Sequence, residues 1–397
     1  MRSLNILIVP PHDLLTHPTP SRLYHMGKML SRTHNVFLLR YPGHPLADPR
    51  HERTMGCTSV TFTPVTTKNL GMYYLLNAPG IYAALSHLMK KVGIDLIIHA
   101  NIVPSYIALK LAETHGIPVI CDYHDHLPES VASYYTNPLV SRIAHALVFD
   151  LVKRNIRMSD HVITNSRTLR NTIRSAVALD DEEISVIPNG FDVDLFNPMP
   201  REEARKAIGV QASSHLLLYY GSIDVWVDFE ALMKLVNRIR GVYDRTLLMI
   251  VGLSHNSSMR ADLDRLVGKY RLRENVLLLP PQPHEKVPEF VNAADIVIAP
   301  YKNVLKNYVV PLKILESLAC GRPVITANIS EYKTWFEGMP VVYYDTQEEL
   351  ERETIELIRS YEARKPELVR ASQEIRDRFS WEKTAMQYEE VLKGLCK

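Results

Sequence analysis

A chain of 397 residues with 46% hydrophobic and 23% charged side chains has room for two or three domains with real cores, and is composed like a soluble globular protein. Its formal net charge of +2 is too small for a nucleic-acid binder. The four cysteines, Cys57, Cys121, Cys320 and Cys396, lie too far apart for a CxxC metal site or a disulfide framework. No apolar run approaches the roughly 20 residues of a membrane-crossing helix, and Leu4–Val9 is too short for a secretory leader. The expectation is a cytoplasmic chain, free or held peripherally at the inner face of the membrane. Residues 1–179 carry 18 Lys and Arg against 10 Asp and Glu, and 13 of the 16 histidines. A basic first half suits an anionic membrane or an acidic acceptor, and equally suits scattered surface charge.

In chain order, Asn5–Pro10 is a short apolar run ending in Pro-Pro, as a buried parallel strand would. A polar loop follows, then a helix over Ser21–Ser31 with Ser21 as N-cap and Leu23, Met26 and Leu30 on one face. Val36–Arg40 is the next strand, completing a βαβ unit whose first loop lies where open α/β sheets place ligands. No Gly-x-Gly-x-x-Gly follows the first strand, which argues against a dinucleotide site. Residues 64–91 hold Leu70, Met72, Tyr73, Tyr74, Leu75 and Leu76 and end in Lys90-Lys91. That pattern fits a core helix, with a cation-flanked lipid-facing surface as the alternative. Strands are expected at Asp95–Ala100 and Pro118–Asp122, the second leading into Cys121–Glu129, CDYHDHLPE. His124, Asp125 and His126 there could bind a metal, relay a proton or only hydrogen-bond a loop, and no further ligand at zinc spacing accompanies them. Val131–Met158 contains an amphipathic helix flanked by Arg142, Lys153, Arg154 and Arg157, and Val162–Ser166 is again a strand.

In the second half, strands are expected at Leu216–Tyr220, Leu247–Val251, Val276–Leu279 and Ala294–Pro300, with a helix at Val287–Ala293. This alternation indicates a second doubly wound domain. The most informative stretch is Val309–Ile325, VVPLKILESLACGRPVI. Pro311 suits the first position of a helix, Leu312, Leu315 and Ala319 give it an apolar face, and Gly321 and Pro323 stop it. Lys313 and Glu316 share a face near the N-terminal turn, where free N–H groups and a partial positive charge suit a phosphate. Lys313 would add a full charge, and Glu316 two acceptors for sugar hydroxyls. An ordinary helix with a solvated ion pair fits the spacing as well. Asp192–Asp194 and Asp262–Asp264 are DxD triplets, but neither is read as a metal site.

PLKILESLACGRPVI resembles the nucleotide-sugar site of retaining glycosyltransferases of family 4, the subset with a Pro-x-Lys-x-x-Glu donor motif. Three further segments resemble that family in the same order: CDYHDHLPE its D-x-H-D-x-x-P-E run, VITNS the strand after it, and ISVIPNGFDVDLFNP the segment closing its first domain. The resemblance implies an α/β chain of GT-B fold, two doubly wound parallel-sheet domains facing across a cleft. Boundaries are expected at 1–198 for an acceptor-side domain and 199–379 for a nucleotide-sugar domain, with a helix at about 380–397 joining the first. It implies His124, Asp125 and Lys313 as catalytic residues. The donor would be bound by Gly221, Ser222, Tyr301, Asn307, Tyr308, Pro311, Leu312, Lys313, Ile314 and Glu316, with Glu316 on the ribose and Lys313 at the phosphates. No cofactor and no metal are implied. The expected partners are a UDP- or GDP-sugar donor and a glycan or lipid-linked acceptor.

Three departures stand out. The first loop reads PTPSR where many relatives carry Gly-Gly, leaving Ser21 and Arg22 as its polar contacts. The segment GSIDVWVD lacks the basic pair that usually follows Gly221. Tyr308 stands where the family usually has its first glutamate. These departures keep two alternatives open, a catalytically silent nucleotide-sugar-binding subunit and another GT-B activity such as a nucleotide-sugar epimerase.

Overall fold

The computed structural model describes residues 2–125, 127–132, 135, 137–211, 214–253, 257–302 and 311–396. Asn307 and Tyr308 of the expected donor site, and His126, therefore lie outside the described residues. The chain forms two units, Met1–Asn189 with Trp381–Lys397, and Gly190–Ser380.

The strands of the first unit are β1 (Asn5–Val9), β2 (Asn35–Leu39), β3 (Thr58–Val60), β4 (Leu96–His99), β5 (Val119–Tyr123), β6 (His161–Thr164) and β7 (Ile184–Val186). They make a parallel sheet in the order β3-β2-β1-β4-β5-β6-β7. Its helices are α1 (Arg22–Leu30), α2 (Leu70–Lys91), α3 (Val103–His115), α4 (Leu127–Ala132), α5 (Pro138–Arg157) and α6 (Arg167–Val177). Leu7, Ile8, Leu96, Ile97, Ile98 and Ile120 are fully buried. Such continuous apolar runs mark strands covered on both faces by crossover helices.

In the second unit the strands are β8 (His215–Ser222), β9 (Thr246–Leu253), β10 (Val276–Leu279), β11 (Ile296–Ala299), β12 (Val324–Ala327) and β13 (Val341–Tyr344). They too are all parallel, in the order β10-β9-β8-β11-β12-β13. The helices are α7 (Arg201–Ala207), α8 (Phe229–Ile239), α9 (Ser257–Lys269), α10 (Val287–Ala293), α11 (Leu312–Ala319), α12 (Ser330–Trp335) and α13 (Gln347–Arg378), and α14 (Trp381–Leu395) ends the chain. In each sheet the strand order reverses once, between β1 and β4 and between β8 and β11. Ligands of open α/β sheets bind outside the carboxyl ends of strands at such points.

Several expectations change in detail. Ser21 occupies the N-cap position of α1 but makes no side-chain cap bond. The Val131–Met158 segment divides, because Asn137 caps a new helix by accepting from Leu139 and Val140 N–H, with Pro138 at its first position. Helix α2 has one buried side, as a core helix would. It buries Tyr73, Tyr74, Ile81, Leu85 and Met89 and leaves Leu70, Met72, Leu75, Leu76 and Tyr82 exposed. Residues 190–198, assigned from the sequence to the first domain, pack with the second. Phe191 and Phe196 sit in its core, and the Arg376 guanidinium donates to the carbonyls of Val193 (2.7 Å) and Phe196 (3.0 Å). The Asp192 carboxylate is occupied in that segment, accepting from the N–H groups of Asp194 and Leu195.

Helix α14 packs on α1 in the first unit. Trp381 stacks on His25 with ring centroids 4.4 Å apart. His34 joins this helix to β1, with Nδ1 accepting from Leu4 N–H (3.2 Å) and Nε2 lying 3.0 Å from Glu389.

Candidate functional site

The donor-type constellation assembles at the reversal point of the second sheet. β8 ends in Tyr219-Tyr220-Gly221-Ser222, β11 runs into Pro300-Tyr301, and α11 begins at Leu312. Gly221 has φ +122, a backbone conformation that side chains rarely adopt. A Cβ there would also meet Lys313 Nζ at 3.1 Å. Gly252, its partner on β9, is needed as well, since a Cβ on it would lie 2.1 Å from the Gly221 carbonyl oxygen. Two glycines thus bring the strand ends and the Lys313 ammonium into close approach.

Lys313 lies in the first turn of α11. Its Nζ stands 4.1 Å from the Tyr219 ring centroid and 5.1 Å from that of Tyr301. Both rings offer their π-faces to the cation, an attraction of about 0.5–2 kcal/mol each. Pro311 is the N-cap of α11 rather than its first helical residue, and no side chain among the described residues caps the helix. Such an uncapped start presents backbone N–H groups to an anion.

Glu316, one turn on, is buried, and its Oε2 accepts a 3.0 Å hydrogen bond from the Tyr220 hydroxyl. That hydroxyl also bonds the Lys313 carbonyl at 3.1 Å, tying the first turn of α11 to the end of β8. Burial pushes the Glu316 carboxyl up to about 7, against the opposing pull of the Tyr220 bond and the Lys313 charge. Residues named from the sequence divide accordingly. Gly221, Tyr301, Lys313 and Glu316 gather at this point with Pro311 at the helix start, and Ser222 joins through its carbonyl, which accepts the Tyr219 hydroxyl at 2.5 Å. Ile314 does not belong with them as a side-chain contact. It is fully buried in the core, and its N–H donates to Pro311 O. Leu312 packs partly against the same core.

The loop after Ser222, where a basic pair was missing, folds onto the end of β11. Asp228 N–H donates to Pro300 O (2.7 Å), Lys302 N–H donates to Trp226 O (2.9 Å), and Val227 bridges Tyr301. The Asp224 carboxylate accepts from Val225 N–H, and that of Asp228 caps α8 through Ala231 N–H.

In the first unit, His124 follows β5 and Asp125 is exposed beside it. Asn165, at the end of β6, donates to the His124 carbonyl at 3.0 Å. The His124 Nδ1 atom lies 3.8 Å from Asp122 Oδ1, with the Asp122 carboxylate wholly buried. Arg22, expected to face a ligand, is instead buried beneath this site. Its Nε donates to both Asp122 oxygens (3.2 Å each), its NH1 to Pro188 O and Asn189 Oδ1 (3.0 Å each), and its NH2 to Ile187 O (2.9 Å). Tyr388 of α14 donates its hydroxyl to Asp122. Burial alone would raise the Asp122 carboxyl, but the Arg22 charge, His124 and Tyr388 together hold it at about 2. Asp122, Tyr219, Tyr220 and Gly252 were not singled out from the sequence. The hint for the last three was their adjacency to named residues at strand ends, and Asp122 is the first residue of the D-x-H-D-x-x-P-E run, where it was given no role.

With this geometry in hand, comparison with known proteins is direct. The model of Glycosyltransferase Family 4 matches residues 21–195, and that of Glycosyl transferases group 1 matches residues 200–365. A D-inositol 3-phosphate glycosyltransferase of Actinosynnema mirum is 31% identical over 194 residues, 47% of this chain and 44% of the relative. One from Segniliparus rotundus is 25% identical over 238 residues, 57% of this chain and 50% of the relative. The chain spans about half the length of the curated relatives it matches. Among solved structures, sucrose-phosphate synthase from Thermosynechococcus elongatus superposes with a TM-score of 0.81 at 20% identity, covering 99% of both chains. Anabaena Alr3699/HepE in complex with UDP-glucose gives 0.72 at 17% identity, covering 98% of this chain and all of that one. Two successive glycosyltransferase family models, each matching under half of the chain, thus fall on the two units in turn, on two parallel α/β sheets of GT-B fold.

Proposed function

We propose that the chain transfers a sugar, with retention, from a nucleoside diphosphate sugar to a hydroxyl of a lipid-linked or polysaccharide acceptor. The observation that carries this reading is the joint placement of Gly221, Lys313 and Glu316 at the reversal point of the second sheet. Lys313 and the uncapped start of α11 would bind the diphosphate and stabilise the charge it gains on leaving. Glu316 would accept ribose hydroxyls through the oxygen not bonded to Tyr220. His124 and Asp125 would contact the sugar or the acceptor, and the departing phosphate would take the acceptor proton. A UDP- or GDP-sugar is the expected donor. The UDP-glucose named for the Anabaena protein supports the nucleotide-sugar class.

A peripheral, cytoplasmic location at an anionic membrane is part of the same reading. No helix among the described residues is long and apolar enough to cross a membrane. On α5, Leu139, Val140, Ile143 and Leu147 are exposed along one stripe, and Lys153, Arg154 and Arg157 follow them. An apolar stripe beside cations suits lipid headgroups. The expected result is sedimentation with anionic vesicles at low salt, reduced in a double variant of α5 that combines Ile143→Ser with Leu147→Ser. Equal sedimentation of that variant would remove the α5 surface from the reading.

The primary experiment is a thermal-shift panel of UDP, GDP, ADP, CMP and dTDP, with and without magnesium. A ligand at 100 times its Kd stabilises by about 2.7 kcal/mol. A shift with one diphosphate, followed by release of that diphosphate from its sugar only when acceptor is present, supports transfer. Binding without release supports the silent nucleotide-sugar-binding subunit instead.

A further inference from the structure

The family reading gives His124 a role but leaves open what fixes its ring. An imidazole can accept or donate at either nitrogen, and the other nitrogen's partner decides which. The surroundings of Nδ1 supply that partner. The atom is shielded from solvent and makes no hydrogen bond among the described residues. At 3.8 Å it faces Oδ1 of Asp122, beyond hydrogen-bond length but within reach of a small ring rotation. Asp122 stays ionised in spite of full burial, since a guanidinium and a phenol both donate to it. A bare Nδ1 lone pair turned toward a buried carboxylate would be repelled and left unsatisfied. An N–H there is attracted.

We propose that Asp122 is a positioning residue that holds His124 in the Nδ1–H tautomer, so that Nε2 is left as a hydrogen-bond acceptor for a substrate hydroxyl. Asp122 itself touches no substrate and does not change protonation. The hydrogen bond to it tightens when ligand orders the ring, as catalytic hydrogen bonds often do. Arg22 extends the arrangement. One guanidinium holds Asp122 and, on its other face, the carbonyls of Ile187 and Pro188 and the side chain of Asn189. The strand end that carries His124, the segment that closes the first unit and helix α14 therefore share one buried charge. This inference rests on the family reading only for the use of Nε2. The tautomer stands or falls by itself.

The test is imidazole 15N NMR of histidine-labelled protein, with the His124 signals assigned by their loss in His124→Gln. At a pH where the ring is neutral, His124 of the wild-type chain is expected to carry its proton on Nδ1. Asp122→Asn, in a variant shown to be folded by circular dichroism, is expected to shift it toward the Nε2–H form that predominates in free histidine. Tyr388→Phe keeps the carboxylate and is expected to leave the proton on Nδ1. In transfer assays, Asp122→Asn should lower kcat by about tenfold or more with little change in donor KM, and add nothing further in a His124→Gln background. An Nε2–H tautomer in the wild-type chain would overturn the proposal even if Asp122→Asn did not fold. So would an unchanged tautomer in folded Asp122→Asn. An Nδ1–H wild type without transferase activity would uphold the positioning and count against the catalytic reading alone.

Discussion

Glu316 is the carboxyl of the donor-type site, and its surroundings alter its chemistry. Its carboxyl, raised from 4.5 to about 7 by burial, keeps in the folded chain a proton that the unfolded chain has already lost. Folded stability from this group therefore falls as pH rises from about 4.5 to about 7 and is level above, by at most about 3 kcal/mol. Glu316→Gln is expected to raise the melting temperature at pH 8 and leave it nearly unchanged at pH 4, read by calorimetry across that range. Ribose hydroxyls donating to the carboxylate would favour its ionised form. Nucleotide binding near pH 6 should then release close to one proton, visible as a buffer-dependent binding enthalpy, and Glu316→Gln should abolish that dependence. Lys313 supplies the opposite charge. Lys313→Ala is expected to weaken nucleoside diphosphate binding by about tenfold to a hundredfold, the range of one charge-assisted hydrogen bond. Unchanged binding in that variant would show that the diphosphate sits elsewhere.

Between elements, the site depends on how closely β8, β9 and α11 approach. Gly221 and Gly252 face each other across the β8–β9 pairing, and the Tyr220 hydroxyl bridges β8 to the first turn of α11. Gly252→Ala would drive a methyl into the Gly221 carbonyl, so that the strand ends must part. It is expected to cost roughly 2 kcal/mol or more of stability, the scale of overpacking and backbone strain. It should also lower diphosphate affinity, measured by denaturant titration and by binding. Tyr219 and Tyr301 hold the Lys313 ammonium between their rings where the sequence lacks a basic pair. Tyr219→Leu keeps much of the bulk and removes the π-face. The expected result is weaker diphosphate binding with stability reduced less than in Gly252→Ala.

At the level of the whole chain, the last helix belongs to the unit that the chain started with. Deleting residues 381–397 removes Trp381 from His25, Glu389 from His34 and the Tyr388 hydroxyl from Asp122, exposing a buried ion pair on one side. Each unit has its own sheet and its own core, so two calorimetric transitions are expected. The deletion should lower one of them strongly and leave the other, which nucleoside diphosphate raises, in place. A single transition lost as a whole would contradict independent units.

The sequence by itself determined the alternation of strands and helices, because buried parallel strands need continuous apolar runs such as Ile6–Val9 and Ile296–Ala299, and because Gly321 and Pro323 end a helix by local backbone preference. It also located Gly221, Lys313, Glu316 and His124, whose spacing to a strand end or a helix start is a local property. What it could not decide were matters of long-range contact. Arg22 reads as a loop cation until the fold brings Asp122, Ile187 and Tyr388 around it. Ile314 reads as part of a ligand motif until α11 turns it into the core. Residues 190–198 belong to the second unit because Phe191 and Phe196 find their apolar partners there. Burial, and with it the ionisation of Glu316 and Asp122, is set by which distant side chains exclude water, and only the tertiary structure brings those side chains together.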